Sequence, residues 1–75
     1  MELQKFVKDF AAEFTETDES VFMPSTNYRE LEEWDSVMAL SIISMVDDNY
    51  GKRISGNELR NCQTIEDLFL LISSL

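Results

Sequence analysis

The chain contains no histidine, one cysteine, one proline and two glycines, and its 6 basic side chains are outnumbered by 15 acidic ones. Each scarcity removes a class of function. Without histidine there is no imidazole base at neutral pH, no ordinary serine–histidine–aspartate triad and no histidine-ligated metal. A serine can also be activated by a lysine or an N-terminal amine. Lys5, Lys8 and Lys52, however, occupy exposed-looking positions with no sign of the burial that depresses an ammonium pKa. The chain is therefore not expected to be an enzyme. The lone Cys62 has no partner for an intrachain disulfide and no neighbouring metal ligand, so its expected role is that of a small buried hydrophobe.

Too few turn residues are present for a many-stranded barrel, and at 44% hydrophobic the chain is too apolar for a disordered acidic tail. The scarcity of lysine and arginine argues against nucleic acid, whose phosphates are held by clustered cations. A formal net charge of -9 points instead to basic partners. The longest apolar run, Leu68 to Ile72, falls far short of the roughly 20 residues of a membrane span. Glu2, Asp9 and Glu13 interrupt the N-terminal stretch, which has neither the basic flank nor the unbroken apolar segment of a signal peptide. It is read as mature, and the protein as cytoplasmic.

What is present suits one small helical domain over residues 1–75, expected to be a monomer. Leu3, Phe6, Val7, Phe10 and Phe14 recur at steps of three and four, predicting a first helix from Leu3 to Phe14. The period is lost from Thr15 to Asp35, where polar residues and Pro24 predict a long crossover. Val21, Phe22, Tyr28, Leu31 and Trp34 are its expected anchors, with a helical turn over Tyr28 to Glu33 and a solvated acidic face at Glu30, Glu32 and Glu33. Trp34 is expected to pack across the loop as a staple at the start of the next helix.

Ser36 to Tyr50 predicts a second helix whose core face is Ala39, Ile42, Ile43, Val46 and Tyr50, with Met38 and Met45 toward one flank. Val37, Leu40 and Met38 are apolar beyond what one core stripe needs, which marks a docking surface. Gly51 predicts a left-handed C-terminal cap. Ser55 with Glu58 and Thr64 with Asp67 are two capping boxes, opening a brief third helix at Gly56–Asn61 and a last helix running to Leu75. The expected fold is all-α, a small four-helix bundle with three main helices, one short one and a long loop after the first.

Two spots invite a chemical reading. Asp47-Asp48-Asn49-Tyr50-Gly51 is similar to a calcium loop, with Glu58 at the twelfth position, but Lys52 stands where such a loop needs glycine and Lys52-Arg53 would repel the ion. At Asp35-Ser36 the loop meets the helix. The first-turn N–H groups there are unpaired and partly positive, so a phosphate on Ser36 would be stabilised by about 0.3–1 kcal/mol. Plain helix capping by Asp35 or Ser36 is the competing role for the same dipeptide.

Glu33-Trp34-Asp35-Ser36-Val37, opening an apolar helix that closes at Asp47-Asp48-Asn49-Tyr50-Gly51, resembles the modification site of acyl carrier proteins. The likeness extends through Lys52-Arg53-Ile54-Ser55 and Thr64-Ile65-Glu66-Asp67-Leu68, and so covers essentially the whole chain, its acidity and its long first loop. The resemblance implies that Ser36 carries covalent 4′-phosphopantetheine donated by coenzyme A, with Asp35 the neighbouring acid read by a phosphopantetheinyl transferase. It implies a courier that holds an acyl or aminoacyl group as a thioester, for fatty acid, polyketide or peptide biosynthesis. Its partners would be loading and acceptor enzymes with basic patches, docking on Val37, Met38, Leu40, Ser41, Ser44, Asp47 and Asp48. It further implies an acyl chain sheltered by Ile42, Ile43, Val46, Ile54, Leu68 and Phe69. Val37, Ser41 and Ser44 depart from the fatty-acid carrier pattern, which implies a stand-alone carrier for a dedicated pathway. The alternative is an interaction module that keeps this fold without the arm.

Overall fold

In the computed structural model, residues 2–75 are described. The first helix, α1 (Leu3–Ala11), buries Phe6, Val7, Phe10 and Ala11 along one stripe. It stops short of Phe14, where the sequence predicts its end. The N–H groups of Glu13 and Phe14 turn to the carbonyls of Phe10 and Ala11 in a tightened last turn. Those of Thr15 and Glu16 leave the helix for the carboxylate of Glu33, at 3.0 and 3.1 Å. A carboxylate that accepts both N–H groups replaces the helical carbonyls they would otherwise seek. Phe14 is buried all the same, with its ring 5.0 Å from that of Phe22 and 5.5 Å from that of Phe10.

The crossover is packed along its length. It contains two short 3-10 turns, Glu19–Val21 and Tyr28–Glu30, capped by the side chains of Asp18 and Asn27. Phe22 and Tyr28 are buried, while Leu31 and Trp34 pack half-buried against the core. Val21, expected as an anchor, is 41% exposed instead. It lies in a 3-10 turn whose geometry directs the neighbouring Phe22 inward. The loop is stitched to the last helix by an antiparallel bridge between Asn27 and Thr64, and by the N–H groups of Ile65 and Glu66 donating to the carbonyls of Thr26 and Pro24. A helix start leaves such N–H groups without internal partners, and here the crossover supplies them.

The second helix, α2 (Ser36–Tyr50), closes on Gly51 at φ 66°, a conformation without penalty only where Cβ is absent. Helical geometry persists through Tyr50, so Asp47 and Asp48 stand on a helix and not in a calcium-type loop. Its buried residues are Ile42, Met45 and Val46, with Ala39, Ile43 and Tyr50 half-buried. The helix is thus rolled toward Met45 relative to the predicted core face, because the side bearing Ala39 and Ile43 borders a groove. The Tyr50 hydroxyl donates to Asp9 at 2.5 Å, tying α2 to α1, and the Lys5 ammonium donates to the same carboxylate from within α1 at 2.7 Å. These bonds, Lys5 first, hold the Asp9 carboxyl below its usual range.

Both capping boxes are formed, opening α3 (Gly56–Asn61) and α4 (Ile65–Ser73). Ile54 and Leu59 pin the link and α3 to the core, and Ile65, Leu68 and Ile72 seat α4. The last helix ends at Ser73, so Leu75 is exposed and its carbonyl accepts from Lys52 Nζ at 2.8 Å. That bond leaves Lys52 half-buried where an exposed position was expected. Cys62 is half-buried against the core edge, and its thiol pKa is raised by burial first and then by Asp67 and Glu58. Among the described residues the result is an all-helical bundle of unequal helices, as the sequence pattern predicts. Among the described residues no helix is long and apolar enough to cross a membrane.

Candidate functional site

Asp35 and Ser36 divide the two roles that the sequence left open between them. Asp35 is the cap: its extended backbone stops the loop, and its Oδ1 accepts the N–H of Met38 at 2.8 Å. Ser36 is the first helical residue, exposed, and its hydroxyl makes no hydrogen bond among the described residues. A capping serine would have its oxygen turned into the helix end. Relieved of that duty, Ser36 presents a free hydroxyl beside first-turn N–H groups.

The chain leading into this point is held from two sides. Trp34 lies 4.8 Å from the Tyr28 ring and stacks near-parallel to Phe10 and Phe14, at 6.5 and 6.3 Å, confirming the expected packing across the loop. Packing a large aromatic against the core two residues before Ser36 fixes the approach of the backbone. On the other side stands Glu33, which is not part of a solvated face as expected. Its carboxylate accepts from the N–H groups of Thr15 and Glu16 and from the hydroxyls of Thr15 and Thr17, the last at 2.7 Å. The Thr17 bond and the backbone bonds hold its carboxyl below the usual glutamate value of 4.5. Glu33 therefore clamps the end of α1 to the segment that delivers Ser36.

The docking residues named from sequence lie on one helix but are not equally presented. Val37 and Leu40 are each 66% exposed, and Ser44, Asp47 and Asp48 are exposed as well. Met38 and Ser41 are half-buried, and Met38 packs against the core. The roll of α2 explains both, since turning Met45 inward brings the adjoining Met38 and Ser41 with it. No basic residue lies in the last turn of α2, so the acidic pair at Asp47 and Asp48 opposes the helix dipole unrelieved.

Beside Ser36 opens a groove of about 480 Å³, bounded by Ser36, Ala39, Leu40 and Ile43 on α2 and by Leu59 and Arg60 on α3. Trp34 and Arg29 complete its walls from the crossover. Of the six residues expected to shelter an acyl chain, only Ile43 borders this space. Ile42, Val46, Ile54 and Leu68 are closed within the core, and Phe69 packs its ring 5.8 Å from Phe6. The open volume lies between α2 and the short α3, whose one buried residue is Leu59. Its basic rim, Arg29 and Arg60, has no counterpart in the sequence reading. The two arginines meet only because Arg29 Nη1 donates to the Arg60 carbonyl at 2.9 Å.

Comparison with known families matches residues 5–72 to a family model described as the phosphopantetheine attachment site. Comparisons with curated proteins and with solved structures return no match.

Proposed function

The chain belongs to the phosphopantetheine attachment family, whose members covalently bind 4′-phosphopantetheine, and from that premise we propose that Ser36 is the attachment residue of a stand-alone acyl carrier protein. The observation that carries the reading is the free, exposed Ser36 hydroxyl, with Asp35 meeting the capping demand of α2. Ser36 Oγ would attack the pyrophosphate of coenzyme A. An Oγ–P bond forms, the bond between the two phosphates breaks, the nucleotide half leaves, and the serine proton passes to a base of the transferase. The chain has no histidine to serve as that base, in keeping with a carrier that is a substrate and not a catalyst.

The residues around Ser36 fit a phosphodiester. Unpaired N–H groups of the first turn of α2 offset its charge, and the exposed hydroxyl leaves room for a transferase. When bound, the group supplies a thiol that holds an acyl or aminoacyl cargo as a thioester. Tethering raises the effective concentration of that cargo at each partner's active site. Val37 and Leu40 would form the apolar centre of the docking surface, with Met38 and Ser41 at its half-buried margin. Ser44, Asp47 and Asp48 would extend it toward basic patches on loading and acceptor enzymes. We place this single-domain carrier, residues 1–75, in the cytoplasm, serving a dedicated biosynthetic pathway.

The test is intact-protein mass spectrometry after incubation with a promiscuous phosphopantetheinyl transferase, coenzyme A and magnesium. The protein gains one prosthetic group and Ser36→Ala gains none. A chain that stays unmodified across several transferases, and is unmodified in cells while held in a stable complex, would instead be an interaction module without the arm.

A further inference from the structure

The stretch that carries the chain into α2 is hydrogen-bonded to the rest of the fold at one place, the end of α1. Among the described residues, the hydrogen bonds of residues 31–35 other than those of Glu33 stay within the crossover and the first turn of α2. Glu33 reaches out, taking four hydrogen bonds on its two oxygens: Oε2 accepts from the N–H and the hydroxyl of Thr15, and Oε1 from the N–H of Glu16 and the hydroxyl of Thr17. Trp34 follows it onto the ring of Phe14, the residue just before these donors. Among the described residues no cation pairs with this carboxylate, and Glu16 and Glu32 border the same small cavity. An anion set among acids is thus held by four neutral donors, which a group with two accepting oxygens can satisfy and an amide cannot. Glutamine at this position would turn its own NH2 toward one pair of donors.

The first turn of α2 depends on this lead-in. The buried residues of the helix begin at Ile42 and its far end is fixed by Tyr50 on Asp9, whereas Ser36 and Val37 are exposed. The Asp35 cap shapes the first turn from within but travels with it. Packing of Trp34 on Phe14 is weakly directional, and hydrogen bonds are strongly so. Resting on the assignment of Ser36 as the attachment residue, we propose that Glu33 is a positioning residue for the transfer onto Ser36: by fixing the entry of the chain into α2 from the end of α1, it sets the direction in which Oγ meets the phosphate of the donor. Glu33 neither gives nor takes a proton in that step, since both of its oxygens are engaged with residues 15–17. A misplacement of about 1 Å at a reacting atom costs up to about 100-fold in rate, so a clamp three residues away is felt at Oγ.

The experiment measures initial rates of modification by a promiscuous phosphopantetheinyl transferase with coenzyme A and magnesium, varying the carrier concentration at a temperature well below the melting of every variant. In Glu33→Gln, kcat falls about tenfold while KM for the carrier is unchanged, because the docking residues are untouched. Tyr28→Phe, which loses stability at α3 and keeps its ring beside Trp34, retains the native kcat. Trp34 is the one tryptophan of the chain, and its quenching by acrylamide in the folded protein rises in Glu33→Gln and not in Tyr28→Phe. Thr17→Val keeps Glu33 and removes the 2.7 Å bond, so it shows the same pattern on a smaller scale and carries the test if Glu33→Gln does not fold. Unchanged kcat, or unchanged quenching of Trp34, overturns the inference and leaves Ser36 the attachment residue. A rise in KM alone also overturns it, since Glu33 would then belong to the docking surface. An equal fall of kcat in Tyr28→Phe overturns it as well, since lost stability would then be the cause. Absence of any mass gain in the native protein overturns the attachment reading and this inference with it.

Discussion

The hydroxyl of Tyr28 donates to the carbonyl oxygen of Leu59 across 31 positions of sequence, and reaches that of Cys62 at 3.1 Å as well. The single proton of one buried phenol is thereby shared between two carbonyls at the end of α3, a helix too short to hold its own place. Burial also raises the Tyr28 pKa, so the group stays a donor. Tyr28→Phe removes the donor and leaves both carbonyls short of a partner, at a cost of about 1–3 kcal/mol. Urea denaturation reads that loss directly. Amide exchange at Leu59 to Cys62 should accelerate more than exchange in α1, because α3 is what the phenol holds.

Glu33 ties the end of α1 to the approach to Ser36, and its carboxylate is depressed below 4.5 by hydrogen bonds that only the folded chain makes. A carboxylate with a lowered folded pKa contributes stability that is complete above its unfolded value and is lost as pH falls through the folded one. The melting temperature should therefore fall on acidification below about pH 4.5 in the native protein. Part of that slope should vanish in Glu33→Gln. At neutral pH the same substitution lowers the melting temperature by a few degrees. An unchanged acid slope would place the clamp elsewhere.

Asp35 invites a pair of substitutions that separate its two roles. Asp35→Ala removes the cap and costs about 1 kcal/mol of stability, whereas Asp35→Asn keeps an acceptor for the Met38 N–H and costs much less. If a transferase reads the charge, both variants are modified slowly at Ser36 despite their different stabilities. Equal rates for the native protein and Asp35→Asn would confine Asp35 to capping. Single-turnover modification and thermal melting together decide between them.

Asp47 and Asp48 stand exposed where the dipole of α2 disfavours acids. The double substitution Asp47→Lys with Asp48→Lys should leave the fold intact and slightly raise its melting temperature. Binding to a basic partner enzyme should weaken by about tenfold, with a flatter dependence on salt. Unchanged affinity would put the interface on another face.

The parts of the fold set by neighbours in sequence were readable from sequence. Asp35, Gly51, Ser55 with Glu58, and Thr64 with Asp67 act within one helical turn, and the starts of α2, α3 and α4 fall where they predict. The end of α1 did not, because the group that terminates it, Glu33, lies 17 and 18 residues away from the N–H groups it captures. The core face of α2 was misjudged for a related reason. Periodicity ranks apolar residues around a helix but does not say on which side the bundle leaves a gap, so Met45 went to the flank and Ile43 to the interior. Ser36 was readable as a position. That it is free of the capping role required the Asp35 oxygen to be placed. Arg29 and Arg60 had no joint signal, since it takes the folded crossover to set the side chain of one against the backbone of the other.

The sulfur of Cys62 gains a further meaning under the proposal that a thioester is carried on the same molecule. Its proton is retained at neutral pH, because the core edge and two nearby acids all resist a thiolate. A protonated thiol is a poor nucleophile, and acyl exchange between sulfurs requires the anion. If Ser36 carries a thioester as proposed, this thiol would leave that bond alone, and release would wait for an attacking group from another molecule.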